Sequence, residues 1–324
     1  MKLQYKVEDK MGKYAFGVDL GGTTVKMGLF DGEGKAIDKW EIPTRKEDNG
    51  VHILPDIAAS INDKLSAGKI DPSEVSGVGI GVPGPVLSNG TVPFCVNLGW
   101  WDPVDLVGKI KELTGLDAKA GNDANVAALG EAWKGAGEGS KNVVMVTLGT
   151  GVGGGIIIDG HILHGSTGAG GEIGHITVNR EETEKCNCGS RGCLEQYASA
   201  TGIARLARRR LAKDGTESSL RSKNADDITA KDVFDKAKEG DKVALEVVDE
   251  FACILGTALS GVANTVNPEL IVIGGGVSKA GEILTDAVKK YFDEEAFPAV
   301  KGTPIKLATL GNDAGIFGCV QMVL

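Results

Sequence analysis

The sequence has no long apolar run. The helix-like uncharged stretch at residues 251–268 carries Thr, Ser, Asn and Gly, which reads as a buried helix and not as a membrane span. It has no basic excess either: 35 Lys and Arg stand against 44 Asp and Glu, a net charge of −9. A broad nucleic-acid surface needs the opposite balance. The densest basic spot, Arg208-Arg209-Arg210, lies among Ala and Leu and reads as a solvated helix face. The first ten residues, MKLQYKVEDK, mix charges and lack the apolar core of a secretory leader. A cytoplasmic protein without nucleic-acid or membrane partners is therefore expected. Six cysteines in such a chain point to metal or chemistry before disulfides.

Two familiar nucleotide motifs are also missing. There is no G-x-x-x-x-G-K-[ST], which excludes a P-loop. Two segments match G-x-G-x-x-G, at Gly79, Gly81, Gly84 and at Gly149, Gly151, Gly154. A dinucleotide fold needs a helix directly after such glycines. The first match runs into Pro83 and Pro85 and the second into Ile156-Ile157-Ile158, so that reading fails.

Glycine is what the chain has in abundance: 48 in 324 residues, roughly twice the usual ~7%. The excess has no three-residue period and sits among Val, Ile and Leu. It therefore marks tight turns or close backbone approach to a ligand. Eleven of these glycines fall between Gly149 and Gly174.

The length favours two domains, and strands alternating with helices give an α/β class. Residues 14–20 and 25–30 read as a strand pair joined at Gly21-Gly22 and closed by Asp31-Gly32. Residues 143–148 and 156–158 repeat the arrangement around a glycine turn at 149–155, before Asp159-Gly160. A shift of 128 residues superposes Leu20, Gly21, Asp31 and Gly32 on Leu148, Gly149, Asp159 and Gly160, which favours a duplicated unit over two unrelated hairpins with the same turn chemistry. Residues 55–65, 105–113, 124–133 and most of 199–260 read as helical. Residues 75–82, 270–273 and 304–310 read as strands, and 315–324 as a closing helix.

The two glycine turns carry the first candidate chemistry. In Asp19-Leu20-Gly21-Gly22-Thr23-Thr24, backbone N–H groups and the two threonine hydroxyls suit phosphate oxygens, and Asp19 suits a hydrated Mg²⁺. Leu148-Gly149-Thr150-Gly151 offers a matching loop. Each is equally readable as a plain hairpin turn. Lys26 is either a phosphate partner or an exposed strand residue.

DLGGT, LGTGVGGG, GGEIGH and CNCGSRGCLE together resemble the ROK family (repressors, open reading frames and kinases) of the actin-like sugar-kinase superfamily. The similarity runs from Tyr14 onward. GNDANVAALGE and VNLGWW are most similar to the glucokinase-type members. The resemblance implies a two-lobed actin-like (ribonuclease H-like) fold with an interlobe cleft. Residues 1–121 would form the smaller lobe, completed by a helix in 311–324, and residues 122–310 the larger. It implies ATP-dependent phosphorylation of glucose at the C6 hydroxyl. Another hexose or N-acetylmannosamine is the alternative substrate, and a sugar-sensing regulator the alternative class. With only 13 residues ahead of Tyr14, a helix-turn-helix domain is not expected. A homo-oligomer, dimer or tetramer, is.

His175, Cys186, Cys188 and Cys193 give H-x10-C-x-C-x4-C, a closed donor set suited to structural Zn²⁺. Glu172 and Glu195 flank these ligands, so the metal would hold both carboxylates in place. Cys95, Cys253 and Cys319 sit in apolar contexts as core fillers. By resemblance the sugar is contacted by Gly84, Asn97, Asn122, Asp123, Glu172, His175 and Glu195. Gly256 and Gly275 would border the adenosine, while Asp19, Gly21, Gly22, Thr23, Thr24, Thr150 and Gly151 would face the phosphates. By position alone, Asn122 or Asp123 is the N-cap of the following helix; the resemblance makes Asp123 the general base.

Overall fold

The structure, a computed structural model, describes residues 12–324. The reading of the first ten residues as leader-free lies outside the described residues. The chain divides into two compact units. The first takes the residues up to Gly130, together with His164–Ala169 and Asn312–Leu324. The second takes Glu131–Leu163 and Gly170–Gly311.

The chain opens with β1 (Tyr14–Leu20), β2 (Thr24–Asp31) and β3 (Ala36–Pro43). A short irregular turn α1 (Glu47–Gly50) and the helix α2 (Ile53–Gly68) lead to β4 (Val75–Val82). A small pair, β5 (Thr91–Val92) and β6 (Val104–Asp105), precedes α3 (Leu106–Thr114), β7 (Ala118–Asn122) and α4 (Asp123–Lys134). The first sheet has the order β3-β2-β1-β4-β7. Its first three strands are antiparallel, and β4 and β7 add parallel to β1.

In the second unit come β8 (Val143–Leu148), β9 (Val152–Ile158) and β10 (His161–Ile162), then α5 (Glu195–Ala198), α6 (Ala200–Lys213), α7 (Ala230–Lys238) and α8 (Lys242–Val266). The strands β11 (Leu270–Gly274) and β12 (Ile305–Leu307) flank α9 (Glu282–Glu295), and α10 (Ala314–Gln321) returns to the first unit. The second sheet has the order β10-β9-β8-β11-β12, with the same senses: antiparallel through β8, then parallel. The two sheets thus share order and direction strand for strand, as the 128-residue repeat requires.

Alternation builds the first core. On β1, Phe16, Val18 and Leu20 pack with Ile53, Ile57 and Ile61 of α2 and Ile110 of α3. The intervening Gly17 faces α10, where a Cβ would lie 2.4 Å from the Ile316 carbonyl oxygen. On β4, Val78, Ile80 and Val82 join the core, while Gly79 turns the other way. A Cβ there would stand 1.7 Å from the Cys319 carbonyl oxygen. The β4 glycines that imitate a dinucleotide motif are therefore a bare strand face on which a helix backbone lies. The same device joins α4 to α10. A Cβ on Gly130 would be 2.1 Å from the Ala314 oxygen, and one on Gly318 1.6 Å from the Val126 oxygen. This packing explains why the first unit runs on to Gly130 when residue 121 was expected to end it. It also corrects the reading of the glycine excess, part of which serves helix packing and not ligand approach.

The second core centres on α8, whose Phe251, Leu255 and Leu259 are buried with Phe234 of α7, Val288 and Phe292 of α9, and Val144 and Val146 of β8. Its N-cap Asp241 accepts from the Ala244 N–H at 3.0 Å and the Ser219 N–H at 2.7 Å. Among the described residues, no helix is long and apolar enough to cross a membrane, and residues 251–266 are the buried helix expected of them.

Three local expectations change. Residues 152–155 belong to β9 and not to a turn: Gly153, Gly154 and Gly155 pair with Thr147, Val146 and Met145. Glycine is needed because a Cβ on Gly154 would lie 2.4 Å from the Gly171 oxygen. In the Arg208-Arg209-Arg210 run, Arg209 is exposed as expected, but two of the three arginines are also held in ion pairs. Arg209 pairs with Glu182 and Glu184, and Arg210 pairs with Asp214 and Glu246. The strands β3 and β7 were not anticipated. β3 is an edge strand with alternate residues exposed, so charged side chains mask its period.

Candidate active site and metal centre

In the first unit, β1 carries Asp19 one residue before its end at Leu20, and the chain then turns tightly. The Gly21 N–H donates to the Thr24 carbonyl at 3.1 Å, and the Thr44 hydroxyl to the Gly21 carbonyl at 2.7 Å. The Gly21 N–H is thereby engaged within the turn, whereas the Thr23 side chain is exposed. Asp19 is half-buried against the start of α10; a Cβ on Gly315 would meet its carboxyl carbon at 2.7 Å. Burial raises the Asp19 pKa, and the nearby Lys26 charge opposes that rise. Lys26 itself donates to the Asn312 carbonyl at 3.2 Å.

The β7–α4 junction carries Asn122 and Asp123. The Asn122 Oδ1 accepts from the Ala124 N–H at 3.0 Å and the Asn125 N–H at 3.2 Å, and its Nδ2 donates to the Gly84 carbonyl at 3.3 Å. Asn122 therefore caps α4 and ties it to the Pro-Gly-Pro turn. Asp123 is the first residue of α4, half-buried, and its Oδ1 also accepts from Ala124 N–H at 2.8 Å. The buried Cys95 donates to the Pro83 carbonyl at 3.3 Å. Burial raises its pKa, and the Asp123 charge adds to that rise. Gly84, Cys95, Asn122 and Asp123 are thus gathered at one place in the first unit. Asn97 is exposed on a single turn of 3-10 helix, and its carbonyl oxygen lies 3.5 Å from where a Gly22 Cβ would be.

In the second unit, the loop after β8 is closed by Gly149 N–H on the Gly151 carbonyl at 3.0 Å and held to α6 by Ala200 N–H and the Thr201 hydroxyl, each 2.8 Å from the Gly149 and Thr150 carbonyls. Gly275, with φ of +83°, lies directly against this loop: a Cβ there would be 2.5 Å from the Leu148 oxygen. Beside it opens a cavity of about 310 Å³ lined by Ala200, Thr229, Phe234, Gly276, Val277 and Lys279, among others. Gly256 does not line this cavity. It is buried in α8, and a Cβ would meet the Val288 oxygen of α9 at 2.7 Å. Its glycine is accounted for by the close crossing of two helices.

The ligand atoms of His175, Cys186, Cys188 and Cys193 all lie within 4.8 Å of one another. The Cys188 and Cys193 sulfurs are 3.7 Å apart, against about 3.8 Å for two sulfurs on a tetrahedral zinc at its usual ~2.3 Å bond length. Three thiols and an imidazole are the soft and borderline donors zinc selects. Burial pushes the Cys186 thiol up to about 12. The Ser190 N–H, aided by the other thiols, draws Cys188 down to about 7. The Glu195 Oε1 accepts from the Cys186 thiol at 3.3 Å, and its Oε2 from the Val152 N–H at 3.3 Å. Glu172 is exposed, with Oε2 3.9 Å from His175 Nε2. The second unit thus brings Glu172, His175 and Glu195 together with the three thiols and the Gly151–Val152 loop. The expected core fillers Cys95 and Cys319 are buried, whereas Cys253 is only half-buried.

One group escaped the sequence reading. Glu182, between His175 and Cys186 in the chain, is a buried carboxylate paired with Arg205 and Arg209. Its arginines lie on α6, far along the chain, and no local spacing reveals the pairing.

The architecture is a two-lobed α/β fold of the actin-like sugar-kinase type, with two sheets of matching topology. The chain belongs to the ROK family, whose profile matches residues 15–324. It is 49% identical over 314 residues to a glucokinase of Halalkalibacterium halodurans, covering 94% of this chain and 93% of that one. It is 39% identical over 312 residues to a glucokinase of Thermotoga maritima, covering 95% and 96%. Among solved structures it resembles a ROK family glucokinase from Streptomyces griseus in complex with glucose and AMPPNP, at 34% identity and a TM-score of 0.73, covering 95% of this chain and 98% of that one.

Proposed function

We propose that the chain is an ATP-dependent glucokinase, transferring the γ-phosphoryl group of ATP to the C6 hydroxyl of glucose. The observation that carries this reading is the 49% identity, across nearly the whole length of both chains, to a glucokinase. The O6 oxygen attacks the γ-phosphorus, the bond to the β,γ-bridging oxygen breaks, ADP leaves, and the O6 proton passes to Asp123. Positioning and charge stabilisation dominate such a transfer; the base contributes typically ~10²–10⁴-fold.

The residues that the family resemblance assigns to the sugar hydroxyls are Gly84, Asn97, Asn122, Glu172, His175 and Glu195. What supports Asp123 as base is its place beside Gly84 and Cys95, together with a capping role already filled by Asn122. Asp19 holds hydrated Mg²⁺ on the phosphates, which Gly22, Thr23 and Thr24 also face. Thr150, Gly151 and Gly275 border the nucleotide, and the adenosine enters the 310 Å³ cavity beside Gly276. His175, Cys186, Cys188 and Cys193 hold a structural Zn²⁺, which supplies rigidity and no step of the reaction.

The test is a coupled assay over glucose, fructose, allose and N-acetylmannosamine, with ATP and polyphosphate as donors. Glucose with ATP is expected to give the highest kcat/KM, with glucose 6-phosphate as product. A preference for another sugar by tenfold or more overturns the assignment.

A further inference from the structure

The chain between His175 and Cys186 is an exposed excursion whose two ends must meet at the metal. Backbone bonds hold its first half: Val178 N–H donates to the Gly192 carbonyl at 2.8 Å, and Leu194 N–H to the Ile176 carbonyl at 2.8 Å. The second half is held differently. Glu182, with 2% of its side chain exposed, turns inward and collects donors from three directions. Its own loop supplies the N–H groups of Thr183 at 3.0 Å and Glu184 at 3.1 Å. From α5, the Tyr197 hydroxyl donates at 2.5 Å. From α6, Arg209 grips both oxygens at 3.1 Å and Arg205 lies 3.1 Å from Oε2.

The cluster reaches the metal ligands by two further links. Gln196 Nε2 donates to the Glu184 carbonyl at 3.1 Å, while its Oε1 accepts from the N–H of ligand Cys193 at 3.1 Å. Arg205, stacked over the Tyr197 ring, donates to the Gln196 carbonyl at 2.8 Å.

We propose that Glu182 is a positioning residue for the metal centre: its ion cluster with Arg205, Arg209 and Tyr197 fixes the 179–185 segment onto α5 and α6, so that Cys186 is presented to the site held by His175, Cys188 and Cys193. This inference rests on the zinc reading above. A carboxylate gripped by two guanidinium groups and three further donors leaves the loop one geometry. The conformational freedom that a chelate loop would otherwise lose on binding the metal is then already given up in the fold. Outer groups that orient metal ligands typically govern affinity by ~10–100-fold.

The experiment measures zinc affinity of the full chain, by competition with a chromophoric chelator, and zinc release into excess chelator, well below the melting temperature. Wild-type protein is expected to bind one zinc per chain; uptake of none overturns the zinc reading itself, before any variant is compared. Glu182→Gln keeps the volume but removes the charge and one acceptor, and is expected to weaken zinc affinity ~10–100-fold with faster release. Arg209→Ala, altered from the more exposed side, is expected to weaken it by a smaller factor, and it decides the question if Glu182→Gln does not fold. Arg210→Ala is the control, because it removes α6 ion pairs to Asp214 and Glu246 only. Unchanged zinc affinity in folded Glu182→Gln or Arg209→Ala overturns the inference. An equal loss in Arg210→Ala does so too, since that result would reflect a general loosening of α6.

Discussion

One carboxylate joins the metal cluster to the second glycine loop: Glu195 accepts from the Cys186 thiol through Oε1 and from the Val152 N–H through Oε2, each at 3.3 Å. Its Oε2 would lie 2.2 Å from a Cβ on Gly151, so the glycine there makes room for the acid. The loop after β8, Glu195 and the cluster of His175 and three thiols are therefore one local assembly.

Removing zinc is expected to weaken glucose binding tenfold or more, because Glu195 and His175 would lose their common anchor. Titration of chelator-treated protein with glucose, followed by calorimetry and repeated after zinc is restored, checks this. An unchanged glucose affinity in the stripped protein removes the link between metal and sugar.

Asp123→Asn is expected to fold and bind glucose with near wild-type affinity while kcat falls ~10²–10⁴-fold. The cap of α4 survives in this variant, since Asn122 supplies it. Steady-state kinetics with a melting curve separates the two effects; turnover near the wild-type rate means the proton goes elsewhere.

Gly79→Ala tests the bare face of β4. The added methyl would meet the Cys319 carbonyl at 1.7 Å, and backbone on both sides leaves little room to yield. A loss of ~3 kcal/mol or more in urea unfolding is expected, at the upper end of overpacking effects. A loss below 1 kcal/mol would mean that α10 lies further from the sheet.

Asp241 ties α8 to the Ser218–Ser219 turn. Burial works against its charge, yet bonds from the Ala244 N–H, Ser219 and Ser218 hold its pKa below the usual aspartate value. A depressed folded-state pKa contributes stability above the unfolded value of ~3.9 and loses it as pH falls through the folded value. Asp241→Ala is therefore expected to cost ~1–2 kcal/mol at pH 7, and the difference from wild type should shrink below about pH 4. Urea unfolding across pH 3–7 measures it; a difference that stays constant refutes the charge argument.

Much of the fold was legible in the sequence because its signals are local. The Asp-Gly turns, the apolar runs of β1, β4, β8 and β11, and the helix periods all reflect neighbouring residues. β3 escaped because a solvated edge strand carries Asp38, Lys39 and Glu41 where buried strands carry Val and Ile. The packing role of Gly256 was not legible because nothing in its neighbourhood announces that α9 crosses there. The ion pairs of Arg209 and Arg210 were not anticipated because their partners Glu182 and Glu246 lie 27 and 36 residues away.

By itself the sequence determined the duplicated α/β plan, the His175, Cys186, Cys188 and Cys193 cluster and the family, since each is written in spacing along the chain. Only the tertiary structure decided what the glycines are for, which residue caps α4, and what holds the excursion between His175 and Cys186. Those are questions of which backbones and charges meet in space, and short-range spacing carries no record of contacts made across the fold.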